Sequence, residues 1–129
     1  MEHRYILAVD FDGTLFSGQY PKTEEPKWDI INKVKEFKEN GAEIILWTCR
    51  SGSRGLQEAV DKSREVGLEF DAVNDNTESL KKYMRETNRI FADKKIFATF
   101  YLDDRSDNLD LFLKMDVKKA IEKEVKKNS

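Results

Sequence analysis

Apolar residues fall along the chain in two alternating rhythms: short unbroken runs, and longer stretches in which they recur every three or four positions. Residues 5–10, YILAVD, form the first run, rich in β-formers and closed by an acid. Residues 28–40 carry Ile31, Val34 and Phe37 at helical spacing, and Gly41 stands as a stop just beyond them. A second apolar run, EIILWT at 43–48, leads into the glycine-containing loop CRSGSRG. Helical spacing returns over 54–66, with Leu56, Ala59, Val60 and Ser63 on one face and Gly67 as the stop. FDAVN at 70–74 predicts a short strand, 77–88 a helix with Leu80, Tyr83 and Met84 inward, and 96–102 a last strand ending in Asp103 and Asp104. The tail from Asn108 reads as helical, and residues 16–26 as a polar loop with both prolines, Pro21 and Pro26.

Four strands alternating with four helices predict the α/β class. Continuous apolar runs in the strands argue for a parallel sheet covered on both faces, a three-layer α/β/α, Rossmann-like architecture. Right-handed crossovers place every strand's carboxyl end on one edge, and ligands of such sheets bind at that edge near a topological switch point. The residues ending the strands are Asp10 with Asp12, Thr48, Asn74, and Asp103 with Asp104.

Composition narrows the reading without redirecting it. A chain of 129 residues, 39% hydrophobic and 37% charged, fits one domain over residues 1–129. A net charge of −2 gives no general attraction to nucleic acid or to a membrane. The lysines of the tail alternate with glutamates at helical spacing and read as a solvated face. One cysteine, Cys49, forms no internal disulfide and is expected to be a buried small hydrophobe. No stretch is apolar enough to span a bilayer and the first apolar run is too short for a signal peptide, so a soluble, cytoplasmic protein is expected.

The strand-end acids repel one another, and burying any of them is costly unless something compensates. Several carboxylates with no His or Cys among them suit a hard, oxygen-seeking cation, and Mg²⁺ works beside phosphate. Beside such a cation Asp10 can be ionised and nucleophilic, and Asp12 can exchange protons with the leaving oxygen and the attacking water. Side chains alternate along a strand, so Phe11 points away and the two acids share a side. Thr48 offers a hydroxyl, and the amides from Arg50 through Gly52 to Gly55 lead into a helix N-terminus, a ready anion site. Lys94 and Lys95 stand just before the last strand, where an ammonium would neutralise a further phosphoryl oxygen.

Each feature alone has a plainer explanation. Asp-Gly is a common turn dipeptide, Thr a common β-former, glycines are loop punctuation, and acids favour helix N-termini. A calcium loop counted from Asp10 fails, with Leu15 at its sixth position and Pro21 at its twelfth. The conjunction carries the weight, since every element ends a strand of one predicted sheet.

Assembled, these residues resemble the haloacid dehalogenase-like (HAD) superfamily of phosphohydrolases. DFDGTL is similar to its first motif, D-x-D-x-T; IILWT to the second, an apolar strand ending in Ser or Thr; and FYLDD to the fourth, a strand ending in paired acids. The resemblance implies Asp10 as nucleophile, Asp12 as acid/base and Thr48 as a phosphoryl-binding residue. It implies Mg²⁺ held by Asp10, by the backbone carbonyl of Asp12 and by an acid of the fourth motif, Asp104 before Asp103. The third-motif lysine is assigned to Lys95 over Lys94, with Lys81 or Lys82 as alternatives. Arg50, Arg54 and Arg105 are expected to meet the substrate's remaining anionic groups. The short spacings between motifs resemble members without a cap domain, in which residues 16–20 form a flap. An open site of that kind suits a phosphorylated small molecule or polymer end, or a homo-oligomer in which a second subunit supplies the lid. A phospho-accepting domain of receiver type is disfavoured because its acceptor follows the third strand, which here ends in Asn74. A catalytically silent binding domain is expected to have lost a first-motif acid, and both are present.

Overall fold

Leu7 and Val9 point to one side of the first strand, Ile6 and Ala8 to the other, and all four are buried. A strand buried on both faces needs a helical layer above and below it, which the computed structural model of the chain supplies. It describes residues 4–20, 22–50, 53–86, 97–104 and 107–127.

The elements run β1 (Ile6–Val9), α1 (Trp28–Glu39), β2 (Glu43–Leu46), α2 (Ser53–Glu65), β3 (Ala72–Val73), α3 (Glu78–Glu86), β4 (Phe100–Leu102), α4 (Asn108–Lys114) and α5 (Val117–Lys127). The strands form a parallel sheet in the order β3-β2-β1-β4. The chain steps outward from β1 to β3, then returns to lay β4 on the other side of β1. That reversal puts the switch point between β1 and β4, beside the ends that carry Asp10 and Asp103.

The two faces are unequal. On one, Leu7, Val9, Ile44 and Leu46 pack with Ile30, Ile31, Val34 and Phe37 of α1, Ala59 of α2, and Phe112 and Val117 of the last two helices. Phe37 lies between Tyr5 and Phe112, with ring centroids 5.1 and 5.4 Å away. On the other, Ile6, Ala8 and Ile45 meet Leu80, Tyr83 and Met84 of α3. The result is the expected α/β three-layer sandwich.

Two boundaries differ from the sequence reading. The ladders stop at Val9, Leu46 and Leu102, leaving Asp10, Trp47, Thr48 and Asp103 just past them on the sheet's carboxyl edge. The tail forms two helices because Met115 turns extended and the Asp116 carboxylate accepts the Lys119 N–H at 3.1 Å, capping α5 afresh. No helix among the described residues is long and apolar enough to cross a membrane.

Candidate active site

Sheet register decides what stands beside Asp10. Ala8 is level with Ile45 of β2 and Tyr101 of β4, so two residues further on the same face Asp10 is level with Trp47 and Asp103. Hydrogen bonds continue the ladder to that row: the Trp47 N–H donates to the Val9 carbonyl and the Asp10 N–H to the Leu102 carbonyl, both at 2.9 Å. Asp10, Trp47, Thr48, Cys49 and Asp103 line a cleft of about 150 Å³. Cys49 is exposed at its mouth, contrary to the expectation of a buried thiol, because the chain has already left the sheet there.

The strand ends are fixed from outside the ladder. Asn74, held at φ +50, a left-handed conformation that asparagine tolerates, accepts the Thr48 N–H on its Oδ1 at 2.9 Å. Asn108 at the start of α4 accepts the Asp103 N–H at 2.9 Å and donates to the Tyr101 carbonyl at 3.0 Å. Gly13 turns the chain after β1 at φ +77, and a Cβ there would lie 2.3 Å from Asp104 Oδ2, so only glycine lets that carboxylate close on the loop.

Asp10 is a carboxyl among carboxyls. Its Oδ1 accepts the Phe11 N–H at 2.8 Å. Burial above all, then the charges of Asp104, Asp12 and Asp103, lift its pKa from 3.8 to about 6, against the opposing pull of that hydrogen bond. Phe11 between the acids is fully buried against Phe16 on the opposite face, as alternation requires.

Asp12 has a different environment. Arg50 grips it bidentately, Nε to Oδ2 at 3.0 Å and Nη2 to Oδ1 at 2.8 Å. Its remaining N–H groups reach Thr23 Oγ1, the Gly55 carbonyl and Glu58 Oε1, so all five donors are used. The guanidinium is held between the rings of Phe11 and Tyr20, 4.7 and 4.8 Å from their centroids. Thr23 also donates to Glu58 at 2.8 Å, and this bond, then Arg50, holds the Glu58 carboxyl below its usual range. The expectation that Arg50 meets substrate is therefore corrected: its side chain is 1% exposed and is consumed in tying Asp12 to the loop carrying Tyr20 and Thr23 and to α2. An arginine a few residues past a strand end gives no hint in sequence of which way it folds.

That loop spans residues 16–26, the stretch in which a flap is expected. Phe16 bridges to Asp12 and to Pro26, and Ser17 exchanges backbone bonds with Glu24 and Glu25. Lys27, at its far end, donates to the Gly13 carbonyl at 3.1 Å, a contact with the first-motif loop that the sequence reading missed. Lys95, Lys94, Gly52 and Arg105 lie outside the described residues. Of the alternative lysines, Lys81 is bound to Asp75 at 2.7 Å on α3's first turn, and Lys82 pairs with Glu86 at 4.0 Å. Neither stands at Asp10.

Among the described residues no three acids already surround one point at metal-ligand distance. The donor set nevertheless fits Mg²⁺, which retains several waters and takes one or two carboxylates directly. Three acids raise Asp10, and the Asp104 carboxylate is pressed against the Gly13 turn. The Asp12 side chain is occupied by Arg50, which leaves its backbone carbonyl for a cation.

The chain is similar to a solved structure of a conserved protein from Bacteroides thetaiotaomicron, at 32% identity and a TM-score of 0.65, over 81% of this chain and 78% of that one. No protein-family model and no curated protein matches it.

Proposed function

We propose that this chain, which belongs to one family with the Bacteroides thetaiotaomicron protein, is a Mg²⁺-dependent, HAD-like phosphohydrolase that works through an aspartyl-phosphate on Asp10. The observation that carries the reading is Asp10 itself. It is a partly buried carboxyl at the switch point of a parallel sheet, surrounded by acids and lining a cleft with Thr48. Such a group calls for a cation, and cation, carboxylate and hydroxyl are what phosphoryl transfer requires.

Mg²⁺ would be held by Asp10, the Asp12 carbonyl and Asp104, with Asp103 alongside, and would neutralise the charge of the phosphoryl oxygens. Asp10 Oδ attacks phosphorus as the ester P–O bond breaks, and the leaving oxygen takes a proton from Asp12. Water then attacks the phosphorus, Asp12 takes its proton, and the Asp10–phosphorus bond breaks to release inorganic phosphate. Each Asp12 oxygen keeps an acceptor position beside its bond to Arg50, so the carboxylate can be oriented and still take that proton. Thr48, fixed by Asn74, presents its hydroxyl to the phosphoryl group. Lys95 is the assigned third-motif cation. The open mouth suits a small phosphomonoester or a polymer end in the cytoplasm, with a second subunit as a source of a lid. A receiver-type reading is weakened by the topology, because β3 is the sheet edge and its terminal Asn74 serves Thr48.

Hydrolysis of 4-nitrophenyl phosphate should require Mg²⁺ and fall by roughly 10³-fold or more in Asp10→Asn. Activity surviving in that variant would remove Asp10 as nucleophile.

A further inference from the structure

Trp47 is a large apolar side chain at the sheet's carboxyl edge that the chemistry above leaves unused. It is 44% exposed although it directly follows the fully buried β2. Its place follows from register: it continues the row of Ile45 and stands level with Asp10, one strand over, while Asp103 flanks Asp10 on the other side. Adjacent strands lie about 4.8 Å apart, so the indole borders whatever is attached to a phosphoryl group at Asp10. Tyr101 braces it, the rings meeting T-shaped at 63° with centroids 5.3 Å apart, which fixes its orientation from below. Trp47 and Cys49 make much of the cleft wall beside the two acids and Thr48 apolar. Arg50, the nearest arginine in sequence, has no N–H left for a second anion.

We propose that Trp47 is the substrate-selecting surface of this site. Its exposed ring stacks on a planar aromatic ring borne by the phosphomonoester, either an aryl group or a nucleobase. The proposal rests on the phosphohydrolase reading for its substrate but concerns a different residue. A braced, exposed indole gains most from a flat, polarisable partner and little from a hydrated sugar.

Two pairs of esters test it, each matched in leaving group and differing in the ring. Adenosine 5′-monophosphate is compared with ribose 5-phosphate, and benzyl phosphate with cyclohexylmethyl phosphate. In at least one pair kcat/KM should favour the ringed ester by roughly tenfold, carried mainly in KM. The pair that shows the preference identifies the source of the ring. Trp47→Ala should bring that ratio to within about a factor of two, and Trp47→Phe should keep most of it. Ratios near one in the wild type would overturn the proposal, as would a Trp47→Ala loss shared equally by both members of a pair.

A binding measurement separates this from failure of the catalytic reading. The chain has two tryptophans, so Trp28→Phe leaves Trp47 as the sole indole emitter. In an Asp10→Asn background its fluorescence should be quenched by adenosine 5′-monophosphate or benzyl phosphate and not by their ringless partners. Quenching without hydrolysis in the wild type would keep Trp47 and remove the enzyme. Hydrolysis without ring-dependent quenching would do the reverse.

Discussion

Asp10 and Asp12 leave the same strand two residues apart, yet the protein treats them in opposite ways. Among the described residues, it surrounds Asp10 with negative charge and one backbone N–H. Around Asp12 it commits an entire guanidinium, two aromatic rings, a threonine and a glutamate. Among the described residues the first acid meets like charge and the second is over-determined. Pairs of like groups driven apart by their surroundings are how one site obtains two chemical roles. Here the dissatisfied member is the one proposed to attack, and the anchored member the one proposed to exchange protons.

The largest effect belongs to the anchored side. Arg50→Met removes both guanidinium donors to Asp12 and leaves a partly buried carboxylate beside an apolar chain, and should cost about 3 kcal/mol in urea unfolding. Asp12→Asn in the same background should recover part of that loss, a coupling that a double-mutant cycle reads directly. Arg50→Lys keeps the charge and loses the fork, so it should fall between the two. If Arg50→Met is as stable as the wild type, the contrast between the two acids collapses.

The unsatisfied side makes a smaller, pH-dependent prediction. With a folded pKa of about 6 against 3.8, native Asp10 keeps a proton that the unfolded chain has lost between those values. The native state then binds more protons, so metal-free stability falls as pH rises from about 4 to 6 and stays lower above it. Asp10→Asn removes the effect. In a chelating buffer the variant should match the wild type below about pH 4 and exceed it at pH 7 by roughly 1–2 kcal/mol, the partial exposure of the carboxylate screening the rest. Parallel pH curves for the two proteins would mean that the acids around Asp10 do not act on it.

Much of this arrangement was legible before any coordinates. The helix of residues 28–40, the stop at Gly41 and the strand-end acids follow from local periodicity and from side-chain size, which act over a few residues. The three-layer α/β class follows from their alternation. What could not be read was everything set by distant contacts. Arg50 looked like a substrate contact because its partners Asp12, Thr23 and Tyr20 reach it only through the parallel pairing of β1 with β2 and the fold of the flap. Trp47 looked like one more apolar strand residue, since only register places it level with Asp10. The break at Met115 was hidden in a tail whose spacing is helical on both sides of it.

The smallest effect lies between the two acids and the flap. Thr14 follows the Gly13 turn, is fully buried, and its hydroxyl has no hydrogen-bond partner among the described residues. An unpaired buried hydroxyl opposes folding, and Val has nearly the same shape without it. Thr14→Val should therefore raise stability by about 1 kcal/mol, read as a higher urea midpoint at unchanged slope. The gain would extend the contrast at the end of β1: the protein completes every bond around Arg50 and tolerates an uncompensated group beside the loop that bears its candidate nucleophile. A loss of similar size would reverse that reading. It would mean that the Thr14 hydroxyl is paired in the folded protein, so that the turn after Asp10 is anchored as firmly as Asp12.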